Sequence, residues 1–377
     1  MLDRYLETSP SFERTTSKYL DGSSRRPLFL KGECKSVLAE LPTESIDCLV
    51  TSPPYWGHRQ YRNGGLGEER TFHEYVERLV SIFREVHRVL KKTGSAWLNI
   101  GDSYQNKNLV GIPWRVALEL TDGVGFTLRN DVIWHKVKGG PDNAEDKLRN
   151  VHEHVFHFVK QPKGYYYDDK SIRRTPKSSK VVKGAVVSAT GVTGVRYERQ
   201  IELSTELSDI EKASARKALN AVLEDLRVGK LADFRMVIRG QQRTTHSDSA
   251  KVSGRAKELQ QKGFYFLKYH PDGAKLSDVW EILPEDTQGR QSHFAAYPRD
   301  LCRIPIAATC PADGIVIDPF CGTGTTMAVA QEMGRRSIGI DLSDEYLAIA
   351  ESRCAVSQNR QNEEDRQRDE EAEAKKT

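Results

Sequence analysis

The sequence predicts an α/β fold: a mostly parallel sheet with helices on its faces, interrupted by a long basic insertion. Apolar runs of strand length alternate with stretches of helical spacing over residues 28–159, and again over 314–354. Two of the strand runs end in turns of unusual chemistry, one proline-rich and aromatic, the other glycine-rich. Between them, residues 171–263 lose the apolar runs and are rich in Lys, Arg, Ser, Thr and Gln.

Residues 1–27 are polar, with Arg and Ser clusters, and read as an irregular arm. Residues 28–30 form a short strand, and 37–41 a short amphipathic helix closed by Pro42. The apolar run 46–50 is the next strand, which makes a β-α-β unit typical of a parallel sheet. Residues 57–70, rich in Gly and Arg, read either as a mobile loop closing over a site or as an ordinary solvated loop. Tyr75, Leu79, Ile82, Phe83, Val86, Val89 and Leu90 recur at helical spacing over 71–92, and Lys91-Lys92-Thr93-Gly94 ends that helix. Strands follow at 95–100, 128–134 and 151–159, with a helix at 112–120 carrying Pro113 in its first turn. A helix at 299–309 starts on Pro298. Strands at 314–317 and 337–340 then flank a helix at 326–333, and a last helix spans 344–354.

The 377 residues suffice for one large domain or two smaller ones. The expected divisions are an arm at 1–27, a first α/β half at 28–170, an insertion at 171–263, a second α/β half at 264–356 and a charged tail at 357–377. No apolar run is long enough to span a bilayer, and the polar first 24 residues lack the core of a signal peptide, which predicts a cytoplasmic protein. Six scattered cysteines without a C-x-x-C pair predict neither a disulfide framework nor a zinc site. Net charge is +4, but residues 171–270 hold 20 Lys+Arg against 10 Asp+Glu, a local +10. That excess favours a nucleic-acid contact over a merely solvated, disordered insertion.

Two turns carry the chemistry. Thr51-Ser52-Pro53-Pro54-Tyr55-Trp56 follows a buried strand. Its consecutive prolines fix φ and cannot join a ladder, so a rigid turn presents a hydroxyl, a carbonyl and two aromatic rings at a strand end. Alone, this hexapeptide is equally a capped structural turn. The second turn is Asp318-Pro319-Phe320-Cys321-Gly322-Thr323-Gly324-Thr325-Thr326, between a strand and a helix. Gly322 and Gly324 let the backbone approach a ligand. Asp341 ends the next strand, 23 positions after Asp318, where a carboxylate can accept ribose hydroxyls. The third glycine of the dinucleotide fingerprint and the lysine of the Walker loop are both missing. Phosphate binding is therefore disfavoured, and an adenosine without phosphate remains allowed.

Together these turns resemble the amino-methylating DNA methyltransferases. The second is similar to the family's S-adenosylmethionine motif, the first to its (S/D/N)-P-P-(Y/F/W) catalytic motif. The order, catalytic motif before cofactor motif, resembles that of the beta group. Gly32-Glu33-Cys34 and the stretches 131–136, 152–160 and 293–298 are also similar, so the resemblance covers about 30–160 and 276–355. It implies a Rossmann-like S-adenosylmethionine-dependent methyltransferase sheet in permuted motif order, with an inserted target-recognition region. S-adenosylmethionine would be held by Glu33, Cys34, Phe294, Asp318, Pro319, Phe320, Gly322, Gly324, Thr326, Asp341 and Leu342. Catalysis would fall to Ser52, Pro53, Pro54 and Tyr55. Trp56, Arg59, Trp134 and His135 are candidates for the base pocket or for DNA, ordinary packing being the alternative for Trp134 and His135. No metal is expected: of the set His152, Glu153, His154 and His157, the histidines fall on two faces of one strand, without a cysteine pair or an H-E-x-x-H motif.

The implied function is site-specific methylation of the exocyclic N4 amine of cytosine in double-stranded DNA, within a restriction-modification system. The implied partner is a cognate restriction endonuclease, and the implied assembly a monomer or homodimer. Serine at the first motif position resembles the cytosine-N4 enzymes more than the adenine-N6 enzymes, which more often carry aspartate; adenine-N6 methylation is the alternative. A methyltransferase for RNA or protein amines is disfavoured by the motif order. A non-catalytic DNA-binding relic of the fold is the alternative of another class.

Overall fold

Nine strands build the sheet of the larger unit: β1 (Tyr5–Leu6), β2 (Leu28–Lys31), β3 (Ile46–Thr51), β4 (Leu90–Ile100), β5 (Thr127–His135), β6 (His152–Val159), β7 (Val279–Glu281), β8 (Ile315–Asp318) and β9 (Arg336–Asp341). Their spatial order is β1-β2-β9-β8-β3-β4-β6-β5-β7. Only β6 runs antiparallel to its neighbours; every other pairing is parallel. The structure, a computed structural model, describes residues 5–6, 10–57, 65–137, 143–173, 180–182, 185–188, 193–240, 254–284 and 298–356.

The central strands are buried on both faces, as parallel sheets require. All six residues of β3 and all four of β8 are buried. Helix Phe72–Val89 covers one face with Tyr75, Leu79, Phe83 and Val86, all fully buried, each contributing about 1.5–3 kcal/mol. Its start is fixed by Thr71, whose hydroxyl accepts the Glu74 N–H, while the Glu74 carboxylate accepts the Arg70 N–H. The helix ends at Val89 because Leu90 already begins β4, so Lys91–Gly94, expected as a helix stop, lie within a strand. Helix Ile112–Glu119 starts on Gly111 at φ 75° with Pro113 in its first turn.

The topology sets the site. From β8 the chain passes to β9 on one side, and from β3 to β4 on the other. Adjacent strands β8 and β3 therefore lead off in opposite directions. The crevice outside their carboxyl ends is a topological switch point, where open α/β sheets bind ligands.

The second compact unit is Ile172–Leu276. Strand Asp233–Ile238 pairs antiparallel with strand Phe264–Tyr269. Helices Gly194–Glu202 and Asp209–Arg227 add Tyr197, Ile201, Leu219 and Val222 to a core with Phe234, Met236 and Phe264. The boundary expected after residue 263 therefore falls at Leu276, because residues 264–269 complete this unit's hairpin. The basic insertion has its own core and is not a solvated loop.

Residues 10–21 depart from the irregular arm expected at 1–27. Helix Pro10–Asp21 buries Phe12, and the Tyr19 hydroxyl bonds the Ser337 backbone, which ties the segment to β9. Residues 344–356 are helical, and the tail at 357–377 lies outside the described residues.

Candidate active site

The catalytic turn leaves β3 at Thr51. The Thr51 hydroxyl donates to Asp318 Oδ1 at 2.6 Å, which joins the ends of β3 and β8. The two prolines then take the chain out of the ladder. The Pro54 carbonyl accepts the Tyr75 hydroxyl at 2.9 Å, while the Pro53 carbonyl has no partner among the described residues. The loop after the turn folds back: Gly57 N–H donates to the Gly67 carbonyl, and Arg78 bonds the Gly65 carbonyl and Glu69.

Tyr55 turns back toward the end of β4, and its ring lies against Gly101, where a Cβ would come within 2.7 Å of Tyr55 Cε2. Its hydroxyl donates to Glu153 Oε2 at 2.6 Å. The Asn99 amide nitrogen lies 2.8 Å from Tyr55 Oη, 2.8 Å from Glu153 Oε2 and 3.2 Å from Ser52 Oγ. Lys136 Nζ sits 2.5 Å from Glu153 Oε1. The hydroxyls of Ser52 and Tyr55 are 3.3 Å apart. The one phenolic proton is given to Glu153, so Ser52 is the donor in that contact. Burial, reinforced by the Glu153 charge, raises the Tyr55 phenol well above its ordinary range and keeps it protonated.

The cofactor turn is held from beneath. Asp318 is buried, and its carboxylate accepts the Thr51 hydroxyl, the Thr326 hydroxyl at 2.7 Å and the Phe320 N–H at 3.1 Å. Asp318 and Thr326 thus shape the turn from below. Gly322, at φ 49°, donates its N–H to Asp341 Oδ2, and Ser343 N–H donates to Oδ1. Burial raises the Asp341 carboxyl above the ordinary range, against the backbone N–H groups of Ser343, Gly322 and Leu342. Gly324, at φ 77°, is needed for a reason outside the ligand: a Cβ there would meet Ala350 Cβ at 2.7 Å, in the helix at 344–356. Glu33 caps helix Cys34–Glu40 by accepting the Ser36 N–H at 2.9 Å, and Cys34 is buried beside it. Phe320 packs at the edge of the core, and the exposed Leu342 reaches Gly65, 3.8 Å from where a Cβ would stand.

A family model described as DNA methylase matches residues 46–352, which include both turns, the insertion and every strand from β3 to β9. The chain belongs to this DNA methylase family. The Type II methyltransferase M.SfiI of Streptomyces fimbriatus is 33% identical over 374 residues, covering 84% of this chain and 88% of its own. The Type II methyltransferase M.SmaI of Serratia marcescens is 28% identical over 368 residues, with 90% and 94% covered. Among solved structures, the PvuII DNA methyltransferase (cytosine-N4-specific) matches with a TM-score of 0.51 at 17% identity, over 90% of this chain and 93% of that one, and shares the fold.

In this methylase the other expected residues are placed unevenly. Trp56 is buried, its indole N–H donating to the Glu69 carbonyl, so it packs rather than lining an open pocket. Trp134 is buried likewise and bonds the Ile282 carbonyl. His135 is half-buried, with Nδ1 3.9 Å from the Glu281 carboxylate. Arg59 and Phe294 lie outside the described residues. His154 bonds Asp131, and His157 bonds Ser95 while stacking on Trp97. Asn99, Gly101 and Lys136 escaped the sequence reading as functional residues, and Glu153 entered it only as a metal candidate that was set aside. The available signal was a lone amide and a lone carboxylate inside apolar strands, Trp97-Leu98-Asn99-Ile100 and Glu153 beside Val155 and Phe156. No helix among the described residues is long and apolar enough to cross a membrane.

Proposed function

We propose that this methylase transfers a methyl group from S-adenosylmethionine to the N4 amine of cytosine at a specific sequence in double-stranded DNA, in a restriction-modification system. One observation carries the reading. Ser52 and the Pro53 carbonyl, which has no partner among the described residues, follow one another at the end of β3, on the strand next to the one that ends in the glycine turn. The nonapeptide at 318–326 contains no Lys or Arg, and the carboxylate beyond it is Asp341. That set suits the hydroxyls of an adenosine and a cationic sulfonium better than a phosphate. The bound donor supplies a methyl group activated by positive sulfur.

The chain's residues prepare the amine. An exocyclic amine is a poor nucleophile because its lone pair is delocalised into the ring. Accepting its two N–H groups at Ser52 Oγ and the Pro53 carbonyl draws the nitrogen toward tetrahedral geometry, so positioning and electrostatics supply the catalysis. Tyr55, braced on Gly101, offers a ring to the base, which must leave the duplex to reach it. No cysteine nucleophile competes. All six cysteines are buried, and burial raises the thiols of Cys310 and Cys321 and pushes that of Cys48 up to about 12.

The neutral Ser52 favours cytosine over adenine by its resemblance to the cytosine-N4 enzymes, and the cytosine-N4-specific name of the PvuII enzyme supports the same choice. Mass analysis of nucleosides from the DNA of a host expressing the protein tests this. N4-methylcytosine is expected, N6-methyladenine in its place would transfer the reading to adenine, and no modified base would end it. Unit Ile172–Leu276 is assigned target recognition. Its removal is expected to abolish site-specific methylation while calorimetry still detects S-adenosylmethionine binding.

A further inference from the structure

We infer that Glu153 is a positioning residue that ends a proton relay running from the methylated amine through Ser52 and Tyr55. The inference rests on the amine-methylation reading. Methyl transfer forms a C–N bond with the amine lone pair, while the sulfur–carbon bond breaks with its electrons on sulfur. The nitrogen is left positively charged and must lose a proton. The groups arranged to take it form a directed chain. Ser52 Oγ has two lone pairs: the Asn99 amide nitrogen faces it at 3.2 Å, with its shorter contacts on Tyr55 Oη and Glu153 Oε2, and among the described residues a lone pair is left for the substrate N–H. The Ser52 proton points to Tyr55 Oη at 3.3 Å, and the Tyr55 proton to Glu153 Oε2 at 2.6 Å.

Three concerted transfers then balance. The amine proton passes to Ser52 Oγ, the serine proton to Tyr55 Oη, and the phenolic proton to Glu153 Oε2. The products are a neutral methylated amine, a restored serine and tyrosine, and a carboxylic acid at Glu153. Tyr55 never becomes a free phenolate, as its raised phenol demands. Two further groups keep the relay aimed. Asn99, only 3% exposed, touches all three members with its amide nitrogen. Lys136 holds the far oxygen of Glu153, is itself partly exposed, and leads toward solvent. Glu153 lies in β6, which lies next to β4 rather than β3, so its alignment with the catalytic turn comes from tertiary structure alone.

The charged and titratable groups around Glu153 are Tyr55, Lys136, Asp131, His152 and His154. The test is the single-turnover methylation rate against pH, on DNA from a host lacking the protein. Wild type is expected to lose rate at acid pH, as a relay that ends on a carboxylate requires. Glu153→Gln keeps an acceptor for Tyr55 but removes the charge. It is expected to be slower by about 100-fold or more, to lose the acid limb, and to bind S-adenosylmethionine as wild type does. A Glu153→Gln protein with wild-type rate, or one that retains the acid limb through His152 or His154, overturns the relay. Should this variant not fold, Tyr55→Phe decides in the same way, since it cuts the relay while keeping the ring; a wild-type rate at every pH then refutes the relay. Wild-type protein that methylates nothing would refute the underlying reading instead, so the two failures are distinct.

Discussion

The Thr51 hydroxyl donates to the Asp318 carboxylate at 2.6 Å, and this bond couples the strand that carries the catalytic turn to the strand that carries the cofactor turn. The two motifs lie 267 positions apart in sequence but end on neighbouring strands. Asp318 is 1% exposed, so every donor to it matters.

Thr51→Val removes that donor, while the Thr326 hydroxyl and the Phe320 N–H stay in place. A buried carboxylate short of a donor costs about 1–3 kcal/mol. The expected outcome is a lower melting temperature together with weaker S-adenosylmethionine binding by calorimetry, both recovered in Thr51→Ser. Weakened binding in Thr51→Ser as well would mean that the hydroxyl is not the cause.

Gly101→Ala tests whether the Tyr55 ring position governs the chemistry. The new methyl would lie 2.7 Å from the ring edge, so the ring must shift, and with it the hydroxyl that reaches Glu153. A displacement of about 1 Å in a catalytic group costs on the order of 100-fold in rate. The turnover rate is expected to fall by that order while S-adenosylmethionine affinity stays unchanged. Equal losses in both measurements would place the fault in the fold.

The sheet and both turns were legible because their signals are local. Apolar runs bounded by Pro53 and Pro54, or by Gly322 and Gly324, mark strand ends whatever surrounds them. The relay to Glu153 was not legible, because nothing near position 153 says that β6 packs antiparallel beside β4 with its carboxylate under Tyr55. Trp56 and Trp134 drew a pocket reading from being aromatic rings at strand ends, whereas their indole N–H groups are spent on the Glu69 and Ile282 carbonyls. The insertion boundary moved to Leu276 because Phe264–Tyr269, apolar and strand-like, pairs with Asp233–Ile238, a partner that composition does not name.

Gly324 separates packing from cofactor contact. Gly324→Ala sets a methyl 2.7 Å from Ala350 Cβ and 3.0 Å from its Cα, at φ 77°, where an L side chain is strained. The combined cost is about 1–3 kcal/mol. Adding Ala350→Gly removes the Cβ clash but not the backbone strain. The double variant is expected to regain part of the lost melting temperature and to bind S-adenosylmethionine more tightly than Gly324→Ala alone. No recovery in the double variant would assign the whole defect to the turn's backbone.

His157 gives the fold a defined acid weakness. It is 1% exposed, stacks on Trp97 with ring centroids 4.1 Å apart, and keeps Nδ1 without a partner among the described residues. Burial, with Arg129 adding repulsion, pushes its pKa down to about 3 from 6.5. The native state therefore holds the neutral ring, while the unfolded chain takes up a proton below pH 6.5. The stability it contributes is complete above 6.5 and is lost as pH falls toward 3, by about 1.4 kcal/mol per pH unit. His157→Phe keeps the stacking surface and removes the titration. Denaturant unfolding of the two proteins from pH 7 to pH 4 is expected to show a steeper decline for wild type by about that slope. Parallel declines would mean that the ring is not held neutral in the native state.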